Sequence, residues 1–176
     1  MTNTKSIGDR AEAKVLSACI ERDWTVSVPF GDNARYDLIV DTSDRGLLRV
    51  QVKTASRSPE TERAITAALT SNSWGAKDKS KKHPYSVEEI DAFALYFPGC
   101  MEWNESERVM FLEAGKPLQV KDGFFQQTIS LVLPSFTGRE TKSTEYAKKF
   151  TLAAWPEVLD HLMPLNQKVA RLKRVA

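Results

Sequence analysis

Helical spacing of apolar residues marks the first element of the chain. The apolar face that follows Ser6 consists of Ile7, Ala11, Val15, Ala18 and Cys19, which recur at intervals typical of one helix face. Ser6 stands three residues before Asp9, a spacing that predicts a capped helix start at Ser6. Glu12 lies at the flank of the apolar face, so its carboxylate is expected at the border of the core rather than fully in solvent.

Three strands are predicted after this helix. Segments rich in β-branched and aromatic residues alternate here with residues that favour turns. The predicted strands cover residues 24–28, 36–41 and 47–55. A tight turn at residues 43–46 would join the second strand to the third, so the two would be neighbours in a sheet.

The third predicted strand has one apolar and one polar face, because successive side chains of a strand point to opposite sides. The apolar face consists of Leu48, Val50 and Val52, and the polar face of Arg49, Gln51 and Lys53. Asp37 can approach the polar face from the second strand. An acid, an amide and an amine would then lie side by side, and such a set suits a divalent cation and a phosphate better than a core.

The second half of the chain adds further strands and then helices. Strands are predicted at residues 64–70, 90–97, 108–112 and 128–133, with 108–112 as the hairpin partner of 90–97. Helices are predicted at residues 143–150 and 156–163. This order of elements is typical of an α+β (mixed α/β) fold.

Composition narrows the class of protein. The 176 residues fit one domain, or one domain with an appendage. The net charge of +2 neither demands nor excludes a nucleic-acid partner. The cysteines, Cys19 and Cys100, are isolated in the sequence and form no metal-ligand spacing. No apolar segment approaches the roughly 18 residues that span a membrane, and no signal peptide is evident, so a cytoplasmic protein is expected.

The polar set is suited to phosphodiester hydrolysis, which needs a neutralised phosphate, an activated water and a stabilised leaving oxygen. Mg²⁺ prefers oxygen ligands and keeps several waters, so one or two carboxylates suffice. Asp37 would be the main ligand, Gln51 a second through its amide oxygen, and Glu12 a further ligand, directly or through a bound water. Lys53 would hold the attacking water and brace the scissile phosphate.

The segment from Gly8 to Thr54 resembles nucleases of the PD-(D/E)XK superfamily. Glu12 matches the helical acid, Asp37 the acid on the second core strand, and Gln51-Val52-Lys53 the (D/E)XK position. More narrowly, VPFGDNARYDLI at 28–39 and VQVKT at 50–54 are similar to the group I intron homing endonuclease branch, and DAFALY at 91–96 resembles a further strand of that branch.

The resemblance implies both a fold and an activity. The fold would be a restriction-endonuclease-like core with a central mixed sheet flanked by helices, in residues 1–135, followed by a helical extension at 136–176. The activity would be cleavage of double-stranded DNA with Mg²⁺, for which Mn²⁺ substitutes, by a homodimer or homotetramer. Gln51 departs from the usual acid of the superfamily, and one fewer negative charge is expected to weaken metal affinity.

Basic residues around this core are candidate DNA contacts. A basic loop is predicted at about 71–84, and the candidates are Arg35, Arg49, Lys77, Lys79, Lys81 and Lys82. A solvated run of charge explains the loop equally well, and surface ion pairs explain the two arginines equally well.

Two alternatives to a homing-type endonuclease remain open. One is a structure-selective nuclease of the Holliday junction resolvase type. The other is a DNA-binding module that kept the fold and lost the chemistry, for which Gln51 is the hint in the sequence.

Overall fold

The computed structural model describes residues 4–31, 33–42, 46–60, 64–72, 82–99, 108–113 and 120–132. Within these ranges the chain forms one helix and twelve strands. The elements are α1 (Thr4–Ile20), β1 (Thr25–Ser27), β2 (Leu38–Asp41), β3 (Leu47–Thr54), β4 (Ser56–Arg57), β5 (Ala64–Ala68), β6 (Thr70–Asn72), β7 (Lys82–Pro84), β8 (Ala92–Tyr96), β9 (Val109–Glu113), β10 (Val120–Lys121), β11 (Phe124–Phe125) and β12 (Thr128–Val132).

Helix α1 begins earlier than the sequence pattern predicts. The prediction of a capped start at Ser6 is wrong, because the helix already includes Thr4 and Lys5. No proline or glycine interrupts these first residues, and Ser6 lies inside the helix, where its carbonyl oxygen accepts a 3.1 Å hydrogen bond from Nε of Arg10. The predicted apolar face is correct, since Ala11, Val15, Ala18 and Cys19 are buried and Ile7 is half-buried.

A five-stranded mixed sheet forms the centre of the fold. Its strand order is β1-β2-β3-β8-β9. Strand β3 pairs antiparallel with β2 and parallel with β8, and β9 pairs antiparallel with β8 as the predicted hairpin partner. The parallel register sets Gln51 opposite Phe93 and Lys53 opposite Leu95. The central mixed sheet and the α+β class agree with the prediction.

Apolar side chains cover both faces of this sheet. Helix α1 packs on one face, against a cluster that contains Leu48, Val50 and Val52 of β3. The side chains of Ala92 and Ala94 on β8 belong to the same cluster and leave room for the helix. The other face packs against a three-stranded sheet of order β12-β5-β4. The described residues therefore form three layers, with a helix on one side and a second sheet on the other.

Several short strands escaped the sequence prediction. Strands β4, β7, β10 and β11 contain two or three residues each, too few to give a periodic pattern. The segment predicted as one strand at 64–70 is split between β5 and β6, and Leu69 between them is buried. The helices predicted at 143–150 and 156–163, and the proposed extension 136–176, lie outside the described residues.

Candidate active site

Asp37 immediately precedes β2, the second strand of the central sheet along the chain. Its N–H donates a 2.9 Å hydrogen bond to the carbonyl oxygen of Val50, which continues the β2–β3 pairing by one residue. Its carboxylate accepts hydrogen bonds from the N–H of Val52, at 2.7 Å, and from Nε2 of Gln51. Both bonds end on Oδ2, so Oδ1 accepts none from the described part of the chain. One oxygen thus fixes the carboxylate, and the other is available for a ligand.

Gln51 is a buried polar side chain in the middle of β3, with 7% of its surface exposed. Its Nε2 donates to Asp37 and, at 3.2 Å, to the carbonyl oxygen of Val52. Because both contacts use the amide nitrogen, Oε1 of Gln51 remains as the atom that can accept a bond or coordinate a cation. The burial also explains why an uncharged amide is tolerated here, since a carboxylate beside Asp37 would be poorly solvated.

Lys53 follows on the same polar face of β3. Its Nζ donates a 3.1 Å hydrogen bond to the hydroxyl of Tyr85. Burial lowers the pKa of Lys53, the charge of Asp37 raises it in return, and the charge of Arg35 lowers it further. An ammonium so placed is close enough to Asp37 for the two charges to influence each other, and it has two further N–H donors.

Glu12 reaches the same region from helix α1 and is half-buried. Burial raises the pKa of Glu12, and the negative charges of Asp37 and Asp9 raise it further. Burial also raises the pKa of Asp37, against the opposing effects of the Val52 N–H, the Lys53 ammonium and the Gln51 amide. The helix and the two strands thus bring Glu12, Asp37, Gln51 and Lys53 into one electrostatically coupled group.

This group offers a small number of metal-ligand atoms, all of them oxygens. Among the described ranges no three His, Cys, Asp or Glu side chains come together as a metal cluster. The available donors are two carboxylates and one amide oxygen, with no sulfur or imidazole. Such a set fits a hard divalent cation that retains several water ligands, and it does not fit a structural zinc site.

The guanidinium group of Arg35 contacts protein atoms through all three of its nitrogens and through its face. Its Nε forms a 3.0 Å ion pair with Glu89, Nη2 donates to the carbonyl oxygen of Pro84 at 3.2 Å, and Nη1 donates to Oγ of Ser71. Its guanidinium carbon lies 4.4 Å from the centroid of the Tyr85 ring. Arg35 therefore links the segment before β2 to β6, β7 and the turn that precedes β8.

Arg49 likewise has protein partners. Its backbone N–H and Nε donate to Oδ2 of Asp91 at 2.8 and 2.9 Å, and Nη2 donates to Oδ1 at 3.0 Å. The Asp91 carboxylate is 6% exposed, whereas the Arg49 side chain is 34% exposed. The paired carboxylate ties the middle of β3 to the start of β8.

We expect Arg49→Met to lower the free energy of unfolding by about 2–3 kcal/mol, because the buried Asp91 carboxylate loses its guanidinium. Urea unfolding at neutral pH measures the change. A double variant, Arg49→Met with Asp91→Asn, removes both charges, keeps an oxygen acceptor for the backbone N–H of residue 49, and should recover much of the lost stability. A single variant as stable as the parent protein would show that this ion pair does not stabilise the fold.

The remaining candidate DNA contacts are only partly within the described ranges. Lys82 is exposed at the start of β7. Lys77, Lys79 and Lys81, together with most of the predicted basic loop at 71–84, lie outside the described residues. The DNA contacts proposed for Arg35 and Arg49 stay predictions.

Sequence reasoning missed Tyr85, which contacts both Lys53 and Arg35. Tyr85 lies between β7 and β8 and is 3% exposed. It belongs to none of the motifs that mark the site, and 32 residues separate it from Lys53. Only the folded chain brings the two together.

The candidate site consists of an acid on helix α1, a carboxylate before β2, and an amide and a lysine on β3. Known proteins were found that are similar to a chain with this arrangement. The model of one family, described as PD-(D/E)XK endonuclease, matches residues 2–153. The chain belongs to the PD-(D/E)XK endonuclease family. None of the curated proteins matches it.

Two solved structures are similar to this endonuclease. That of a bacterial homing endonuclease, I-Ssp6803I, has a TM-score of 0.61 and 22% sequence identity, and covers 92% of this chain and 100% of that one. That of Hjc, a Holliday junction resolvase from Archaeoglobus fulgidus, has a TM-score of 0.40 and 14% identity, and covers 77% of this chain and 99% of that one. The first likeness supports the fold.

Family membership confirms the resemblance to the PD-(D/E)XK superfamily and the assignment as an endonuclease, and the likeness to I-Ssp6803I supports the predicted fold class. Nucleases of this family generally use divalent metals, and DNA is the substrate that the family implies. In the described ranges no helix is long and apolar enough to cross a membrane.

Proposed function

We propose that this endonuclease hydrolyses phosphodiester bonds in double-stranded DNA with Mg²⁺, in the manner of a homing endonuclease. The observation that supports the proposal most strongly is the Asp37 carboxylate, held through Oδ2 by Val52 and Gln51 so that Oδ1 stays available. Glu12 and Lys53, coupled to that carboxylate, supply a second acid and a cation at the same place.

The proposed metal ligands are Oδ1 of Asp37 and Oε1 of Gln51, with Glu12 binding directly or through a water. When bound, Mg²⁺ would neutralise charge on the phosphate and make a bound water more acidic. Mn²⁺ has similar ligand preferences and is expected to substitute. Gln51 supplies an oxygen without a charge, so Asp37 carries most of the attraction for the cation.

Lys53 is the proposed catalytic cation. One of its three N–H donors goes to Tyr85, and two remain for the attacking water and a non-bridging oxygen of the scissile phosphate. A fixed ammonium in a poorly solvated position stabilises developing negative charge more than a mobile surface lysine does.

DNA is expected to reach this site along basic residues. We propose Lys82, with Lys77, Lys79 and Lys81, as phosphate contacts, which would make affinity fall with salt concentration. Arg35 and Arg49 are proposed as further phosphate contacts, which their protein contacts would hold in place.

We further propose a dimer or tetramer, so that two sites can cut two strands, and a cytoplasmic location. The buried free thiol of Cys19 is compatible with a reducing compartment. Residues 1–135 would form the nuclease core and residues 136–176 a helical extension. Light scattering of the purified protein measures the oligomeric state.

The decisive test is incubation of the parent enzyme with a duplex library at low salt, with Mg²⁺ or with EDTA, followed by sequencing of the ends. We expect Mg²⁺-dependent ends at a restricted set of sequences. A four-way junction in the same assay separates the alternatives, because preferred cutting at the junction would indicate a resolvase. No new ends on any substrate would contradict the proposed function.

Gln51→Glu restores the acid that the superfamily usually has at this position, and so tests what the amide of Gln51 contributes to stability and metal binding. We expect this variant to be less stable than the parent by about 1–3 kcal/mol without metal, since it places two carboxylates together in a buried position and loses the amide donor to Asp37. Added Mg²⁺ should raise the unfolding temperature of the variant more than that of the parent. Thermal unfolding with EDTA and with a Mg²⁺ series measures both effects.

Two outcomes would argue against this view of Gln51. Equal metal-free stability of variant and parent would mean that the side chain at position 51 does not contact Asp37. An equal response to Mg²⁺ would mean that position 51 does not take part in metal binding.

A further inference from the structure

Lys53 and Tyr85 lie within an array of polar side chains that ends at the candidate site. The array runs from Glu89 through Arg35 and Tyr85 to Lys53 and then to Asp37. Its contacts are the 3.0 Å ion pair of Arg35 with Glu89, the stacking of Arg35 on Tyr85, and the 3.1 Å bond from Lys53 to the Tyr85 hydroxyl. Arg35 lies between Glu89 and Tyr85, and Lys53 lies between Asp37 and the same tyrosine.

Tyr85 is itself firmly held. Its carbonyl oxygen accepts a 2.8 Å hydrogen bond from the N–H of Phe125, and its ring lies edge-on to Phe93 with a centroid distance of 5.5 Å. Phe93 lies opposite Gln51 in the parallel pairing of β8 with β3. The tyrosine ring thus packs on β8, the strand next to the one that carries Gln51 and Lys53.

The hydroxyl of Tyr85 has a second fixed neighbour. The Ser71 side chain lowers the pKa of Tyr85, and Arg35 donates to the same serine. Burial, the largest of several influences, raises the pKa of Tyr85 to about 12. The phenol therefore stays neutral at physiological pH and offers Lys53 an oxygen acceptor, rather than a charge or a proton.

We propose that Tyr85 is a positioning residue, which fixes the Lys53 ammonium beside Asp37 for the reaction, while Arg35 and Ser71 hold the tyrosine. This inference rests on the proposed function. A lysine side chain has four rotatable bonds and loses much freedom when it is ordered. The bond to a rigid phenol oxygen restricts that freedom before DNA binds, so that the two remaining N–H donors of Lys53 point in reproducible directions.

Tyr85→Phe tests the proposal, because it removes only the hydroxyl and keeps the ring that packs on Phe93 and Arg35. We expect the rate constant of DNA cleavage at saturating DNA and Mg²⁺ to fall about 10- to 100-fold, as a misplaced catalytic group does. The dissociation constant for DNA should stay unchanged. Tyr96→Phe is the matched control, since it removes a hydroxyl from another buried tyrosine, on the helix side of the sheet, and should cut at the parental rate.

A second readout follows the ammonium itself. In protein labelled with ¹⁵N-lysine, the Lys53 signal is assigned by its loss in Lys53→Arg. Tyr85→Phe should shift this ammonium signal or broaden it by faster exchange with water, and Tyr96→Phe should not. This measurement needs neither DNA nor metal.

The outcomes separate this proposal from the proposed function. If the parent enzyme cuts no DNA, the proposed function fails, and the ammonium signal still decides whether Tyr85 holds Lys53. If the parent cuts and Tyr85→Phe cuts equally fast, the positioning role is overturned. A Tyr85→Phe protein that loses stability and DNA affinity, with an unchanged rate for the bound complex, would show a purely structural role and also overturn it.

Discussion

Lys53→Ala is expected to reduce DNA cleavage by at least about 10³-fold, because the transition state loses the only ammonium coupled to Asp37 among the described residues. DNA affinity should change little, since one contact among many phosphate contacts is lost. Single-turnover cleavage at saturating Mg²⁺ measures the rate, and a binding titration with Ca²⁺ or EDTA measures affinity separately. A large effect on rate with a small one on affinity is the signature of transition-state stabilisation.

Lys121→Ala is a suitable control for this experiment. Lys121 is exposed in the short strand β10, and its loss removes the same charge from the protein. It should leave cleavage unchanged. If Lys53→Ala cut DNA as fast as the control, Lys53 would not be the catalytic cation.

Asp37→Asn is expected to cause a comparable loss of cleavage, about 10³-fold or more, because the proposed cation loses its main anionic ligand. The folded protein without metal should nevertheless be as stable as the parent or more stable. Asparagine keeps an oxygen for the N–H of Val52, and it removes a buried charge that faces Glu12. Loss of DNA cleavage without loss of stability would distinguish a metal ligand from a residue that only stabilises the fold.

The pH dependence of stability shows whether the charge of Asp37 stabilises or destabilises the folded protein. Burial raises the pKa of Asp37 above its usual value in the folded state, so the folded protein binds the proton more tightly than the unfolded one does. This contribution to stability is present at low pH and is lost as the pH rises through the raised pKa. Thermal unfolding in EDTA should therefore show a smaller loss of stability with rising pH for Asp37→Asn than for the parent.

Asp122→Asn is the matched control for this substitution. Asp122 is exposed in a turn with a φ of 52°, a conformation that asparagine also adopts readily. The control should keep both cleavage and the parental pH profile. If Asp37→Asn cut DNA at the parental rate, the metal-ligand role of Asp37 would be refuted.

Local periodicity was sufficient to predict the elements that carry the site. The alternation of Leu48, Val50 and Val52 with polar residues identified β3 and the direction of its two faces, because a strand has a period of two. The spacing of apolar residues in α1 similarly placed Glu12 at the edge of the core. Such patterns arise because one face of the element is buried. They identify the buried face correctly even where the predicted start of the element is wrong, as it was for the helix start at Ser6.

The contacts between distant segments could not be predicted in this way. Spacing along the chain does not say that β8 lies parallel to β3, or that Tyr85 meets Lys53 across 32 residues. It also gave Arg35 and Arg49 equal chances of surface ion pairs and of phosphate contacts, whereas the structure pairs them with Glu89 and Asp91. These partners depend on tertiary packing, which brings together side chains whose separation in sequence is arbitrary.

The measurement that tests the central claim most directly is calorimetric titration of Mn²⁺ into the complex of the protein with an uncleavable DNA analogue, for the parent and for Asp37→Asn. We predict that the parent complex takes up the ion and that Asp37→Asn does so far more weakly, while both bind DNA. Equal uptake by the two proteins would place the cation elsewhere. No uptake by the parent would indicate a DNA-binding module without metal chemistry, and would contradict this account.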